Sequence, residues 1–228
     1  MLYKKALCAF ALIMFVGASG LFAGDAAIFV DLGFSPDGRT YMFGQYGVHS
    51  GTLRPWADIF IVDTARNNFV RGGRLSYIHG SAAIPGQNGS GALLRALVQN
   101  APLVQRHQID HCLQGQPLFA ALDDTTPDTI EFRNFRTGDS YRASLLQNRE
   151  GFGPELASSF HINLERTFPD GSVRSYTVGN PRFKRPLIAS YRIRQAIVHG
   201  DSMVFVIEMR RQDVGDFSIR YMVEALRF

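Results

Sequence analysis

The chain has 228 residues, 46% hydrophobic and 19% charged, with 22 Gly, 10 Pro, two Cys and a formal charge of +4. Those figures exclude collagen-like, disordered and disulfide-scaffold proteins. The length suits one domain or a tight pair, with enough surface to bury a core.

The first segment reads as a secretory signal peptide over 1–23. Lys4 and Lys5 precede the apolar run Ala6 to Val16, and small residues follow at Gly17 to Gly20 and Ala23. That run is shorter than the roughly 20 residues a bilayer-spanning helix needs. Cleavage after Ala23 is favoured over cleavage after Gly20, and Cys8, inside the apolar run, is poorly placed for lipidation. Processing leaves 22 basic against 20 acidic residues, a net of +2, and a single cysteine, Cys112. The expectation is therefore an exported protein, periplasmic or secreted, with no transmembrane segment after processing, no intramolecular disulfide and no nucleic-acid partner. Residues 24–228 are expected to form one β-rich domain, with Cys112 a buried structural thiol.

Strand and turn signals dominate the rest. Ala27 to Val30 leads into the turn run Pro36-Asp37-Gly38, where Gly38 is expected at positive φ. Alternation from Tyr41 to Tyr46 and the β-branched run Ala57 to Asp63 predict two further strands, and Asn67-Asn68 turns the chain back towards Phe69. From Ser90 to Ile109 the spacing of Leu93, Leu94, Leu97 and Val98 predicts a helix over about 91–100, with a second helical turn or short helix after Pro102. Gly86 to Gly91 reads as a flexible lead-in with Ser90 as N-cap. Residues 115–128 read as a loop.

Strands resume over 129–135, 140–147, 160–168, 173–178, 187–198, 203–211 and 217–226. Pro169-Asp170-Gly171 and Gly200-Asp201 mark two hairpins. Arg192, Arg194, Arg210 and Arg211 in the last meander imply that one of its faces is solvated. The fold class is mainly β, with antiparallel sheets in a sandwich or propeller-like arrangement and a short helical insertion near 91–111.

The segment from Phe34 to Asp63, FSPDGRTYMFGQYG followed by ADIFIVD, resembles a blade of TolB-like periplasmic β-propellers. The longer stretch GDAAIFVDLGFSPDGRTYMFGQYGV, with IFIVDTARNNFVRGG after it, is similar to a family of predicted secreted bacterial proteins of unknown function. That resemblance implies export and brings no catalytic residues.

Several runs carry candidate chemistry. His107 and His111, four apart, would share a helix face and could hold a metal with Asp110 or Cys112. Gln108 stands where a zinc protease helix has Glu. Gly86 to Gly91 has the glycine spacing of a phosphate loop, but Ala92 and Leu93 replace its Lys and Ser or Thr, which excludes nucleoside triphosphate hydrolysis. The acidic turn Asp123-Asp124 lacks the ligand spacing of an EF-hand. Arg182, Lys184, Arg185, Arg192 and Arg194 form the one basic concentration and are the candidates for an anion-binding surface. No cofactor is expected. The reading is a non-enzymatic binding or scaffolding module of the cell envelope, its partner an envelope protein or an anionic polymer; the alternative is a periplasmic hydrolase or metal-dependent enzyme using His107, Asp110 and His111.

Overall fold

The computed structural model describes residues 25–213 and 216–228; the expected signal peptide lies outside them. Strands β1 (Ile28–Phe34), β2 (Thr40–Val48), β3 (Pro55–Asp63) and β4 (Asn68–Ile78) form an antiparallel meander in that order. Helices α1 (Ser90–Gln99) and α2 (Ala101–Arg106) follow, α2 restarting with Pro102 in its first turn, where a missing N–H costs nothing.

A second sheet contains β6 (Thr129–Arg133), β7 (Ser140–Glu150), β8 (Ala157–Thr167), β9 (Val173–Val178) and the two-residue β10 (Arg185–Pro186). The third sheet runs β13 (Asp216–Arg227), β12 (Ser202–Asp213), β11 (Ile188–His199), β5 (Gln116–Ala120). Every strand pair within these sheets is antiparallel. The class is mainly β, as the periodicity implies.

The third sheet is the middle layer. Along β12, Met203, Phe205 and Ile207 pack with Phe160, Ile162 and Leu164 of the second sheet. The alternate residues Val204 and Val206 pack with Phe34, Tyr41 and Phe43 of the first. On its far side the first sheet carries α1, with Met42, Ile59 and Ile61 against Ala92, Leu93 and Ala96.

Expecting one solvated face on the C-terminal meander is therefore wrong where β11 and β12 meet at their hairpin. The arginines that prompted it, Arg192, Arg194, Arg210 and Arg211, sit towards the other end of these strands, beyond the doubly covered stretch. The sheets stack in three layers, whereas a propeller needs four or more blades, so the blade resemblance of 34–63 is not matched by the architecture.

Other local expectations also change. The loop read at 115–128 contains β5, which pairs with β11 alone; an edge strand tolerates Pro117. The cap of α1 is Gly89, with no side-chain hydrogen bond, while Ser90 bonds Asn88 through both its N–H and its hydroxyl. Gly89 is also no flexible spacer: a Cβ there would lie 2.5 Å from the Gly47 carbonyl oxygen. Gly38 has φ +68, as its turn requires. Its carbonyl receives buried hydrogen bonds from Thr64 and Ser202, at 2.9 and 2.8 Å, tying the first sheet to the middle one.

Candidate functional site

The metal arrangement suggested by the histidine spacing does not form. Helix α2 ends at Arg106, His107 is its C-cap, and Gln108 turns the chain at φ +51, so His107 and His111 share no helix face. Asp110 accepts the Cys112 N–H, and the His111 Nδ1–H donates to the Leu32 carbonyl at 2.7 Å, fastening this loop to β1. Among the described residues no group of three His, Cys, Asp or Glu side chains is placed to hold a metal. Cys112 is exposed, not buried as expected.

Four of the five basic candidates already have carboxylate partners. Lys184 meets Glu150 at 2.7 Å, and Arg185 meets Glu224 at 3.4 Å. Arg192 and Arg194 share Asp124 at 3.1 and 3.0 Å, with the buried Glu208 behind them at 3.6 and 3.7 Å. Arg182 extends from the turn in which its N–H meets Asn180. The structure thus brings Arg192 and Arg194 together, as strand periodicity implies, and spends their charge in pinning the 121–128 loop. The acidic turn read at Asp123-Asp124 is the other half of that clamp.

Arg185 leads to a polar cluster at the base of a concavity. A cleft of about 630 Å³ opens where the β3–β4 turn, the segment after β9 and the end of β13 meet. Its floor is Glu224, whose side chain is 7% exposed. Burial pushes the Glu224 carboxyl pKa up, and hydrogen bonds from Asn67 and Arg185 only partly oppose that. Asn67 holds φ +49, which Asn tolerates better than most residues. Its Nδ2 donates to Glu224 and its Oδ1 accepts the Ala225 N–H at 2.7 Å, so one carboxamide caps the free edge of β13 and orients the acid. Gly179, at φ +92, brings backbone close to the carboxylate, and a Cβ there would lie 3.3 Å from its carbon.

The Arg185 guanidinium sits among three rings, 5.0 Å from Phe160, 4.8 Å from Phe183 and 5.9 Å from Tyr191. Its Nη1 is buried without a hydrogen-bond partner among the described residues. A buried donor left unpaired costs about 1–3 kcal/mol, which the rings around the guanidinium offset in part. Phe183 and Phe69, 56% and 41% exposed, stand on the walls of the cleft.

A second cavity of about 750 Å³ is lined by Cys112, Gln114, Gln116, Asn134, Arg136 and His199 among others. Its polar groups are largely spent within the fold. The His199 Nε2–H donates to the Pro36 carbonyl and Asn134 caps the Arg136 N–H. Among the described residues no carboxylate lines it, and the cleft over Glu224 remains the better candidate.

Sequence reasoning singled out Arg185 but missed Glu224 and Asn67 as site residues. A signal existed: Glu224 is the one acid in the apolar run YMVEALRF, just as Glu208 interrupts VFVIEM. An acid within a strand that is otherwise buried needs partners, and both have arginines.

No curated protein matches the chain. A family model described as predicted secreted protein (DUF2259) matches residues 42–227, from within β2 to the end of β13, and so spans every residue of the cleft. On a match over most of its length, the chain belongs to this family of predicted secreted proteins, whose function is not known.

Proposed function

We propose that the protein is an exported, non-enzymatic binding module of the cell envelope, and that an envelope component enters the cleft over Glu224. The observation that carries this reading is the buried Glu224, held by the half-buried Asn67 and Arg185, at the base of an open concavity with two exposed phenylalanines on its walls. Concave sites with a few convergent polar groups and apolar walls are where ligands bind. Glu224 is the single carboxylate among the lining residues. Hydrolysis of a glycosidic bond usually takes two carboxyl groups facing each other across the substrate, so binding is the simpler use of this geometry. The signal-peptide reading and the family description both support export, and the periplasm is the compartment proposed.

Co-sedimentation of the mature chain with washed envelope fragments of the producing organism tests the reading. The expected result is saturable binding that Phe183→Ala weakens about tenfold, equivalent to about 1.4 kcal/mol, with the fragments recovered chemically unchanged. Absence of binding, or binding indifferent to Phe183, would refute it.

A further inference from the structure

We propose that the ligand of this cleft is a neutral saccharide, bound through adjacent hydroxyl groups at Glu224, Asn67 and Arg185 with a sugar face against Phe183. The inference rests on the cleft being a ligand site and adds the class of ligand.

The floor groups partly satisfy one another, with Asn67 Nδ2 and Arg185 both bonding Glu224, and the capacity they have left is of both kinds. Glu224, when ionised, offers only acceptors, whereas Asn67 Nδ2 and the guanidinium offer only donors. A hydroxyl group does both, and neighbouring hydroxyls on a ring present the two functions side by side. An anionic ligand that reaches the floor meets the Glu224 carboxylate, with which Arg185 is already paired. A wholly apolar one offers nothing to Arg185 Nη1. An extended peptide adding to β13 finds the Ala225 N–H already taken by Asn67 Oδ1.

The walls fit the same ligand. Phe183 lies on the segment between β9 and β10, more than half exposed, with Arg185 beside its ring. A sugar has an apolar face of C–H groups that covers such a ring, while its rim hydroxyls reach Asn68, Asn180 and Arg66 on the cleft wall. A small movement of Phe183 towards that face opens Arg185 Nη1, the donor that is covered and unpartnered without ligand.

The test is titration of ¹⁵N-labelled mature protein with maltotriose and with the β-1,4-linked trimer of N-acetylglucosamine. Triglycine and inorganic phosphate serve as controls. Expected are saturable shifts of the Asn67 side-chain amide and the Gly179 amide with at least one sugar, an affinity about tenfold weaker in Phe183→Ala, and no change in Phe152→Ala, whose ring is 85% exposed on another loop. The proposal falls if neither sugar moves those two resonances, if a control moves them equally, or if the two Phe variants weaken binding alike. Envelope binding separates the two levels. If it still depends on Phe183 while both sugars fail, the ligand class is wrong and the site stands; if it ignores Phe183, the site itself is wrong.

Discussion

Gly89 and Gly91 stand two residues apart at the start of α1 and should respond oppositely to a methyl group. Gly89 has φ −73, so its backbone suits any residue, yet a Cβ would sit 2.5 Å from the Gly47 carbonyl oxygen, backbone against backbone. Gly91 lies in the first turn of the helix with nothing within 4 Å of a new Cβ. Gly89→Ala is expected to destabilise by roughly 1–3 kcal/mol through forced displacement. Gly91→Ala should stabilise by up to about 1 kcal/mol through helix propensity. Urea midpoints of the two variants check this, and equal signs would contradict the packing at Gly47.

Asp31 carries a different residue-scale consequence. Burial raises its carboxyl pKa to about 6, although the Gly33 N–H bonds the carboxylate. The folded state therefore binds this proton more tightly than the unfolded chain does. The corresponding stability is full below the unfolded value near 3.8 and is lost as pH rises through about 6. With partial solvent screening the loss is roughly 1–2 kcal/mol. Asp31→Asn keeps an oxygen for Gly33 and removes the charge. The difference in melting temperature between variant and parent should be small at pH 4 and favour the variant at pH 7.5; a constant difference would refute the assignment.

At the scale of elements, the informative event is how β13 ends its sheet. An exposed edge row of N–H groups invites wrong pairing, and here three outward N–H groups are capped. Ile219 donates to the Asp25 carbonyl, Tyr221 to Gln45 Oε1 at 2.8 Å, and Ala225 to Asn67 Oδ1. Both side-chain amides then turn their Nδ2 or Nε2 to a carboxylate, Asn67 to Glu224 and Gln45 to Asp58. Asn67→Gly preserves the positive φ and deletes both hydrogen bonds, so its expected cost of roughly 1–3 kcal/mol isolates the caps from the turn. An unchanged denaturation midpoint would show that water replaces the side chain freely.

The same elements show what the sequence makes legible. Turn chemistry was readable because it is local: Pro36-Asp37-Gly38 needs no knowledge of distant residues to require positive φ. The helix break at Pro102 was readable for the same reason. The caps of β13 were not, since the partners are 158 and 176 residues apart in sequence. Strand β5 was masked by Pro117, which an edge position tolerates, and the His107 to His111 spacing misled because Gln108 leaves the helix at φ +51. The candidate cleft shares this dependence on distance. Asn67, Arg185 and Glu224 come from three separate regions of the chain, and only the lone acid in YMVEALRF hinted at it.

For the whole molecule, the middle sheet decides how the layers respond to damage. Strand β12 supplies Phe205 to one core and Val206 to the other, so the two cores share one strand through which loss of either can weaken the other. The sole tryptophan, Trp56, lies in the first sheet, 6% exposed, with Arg220 of β13 over its ring at 4.4 Å. It reports on the layer remote from β8. Leu164→Ala in β8 opens a cavity in the outer core, where Leu164 is fully buried, at an expected cost of about 2–5 kcal/mol. If the layers unfold as one unit, Trp56 fluorescence and far-ultraviolet circular dichroism should give one coincident melting midpoint, and Leu164→Ala should lower both by the same several degrees. A Trp56 midpoint that stays at the parent value while the dichroism midpoint falls would mean that the first sheet and its helices unfold independently, and that the middle sheet does not couple the two cores.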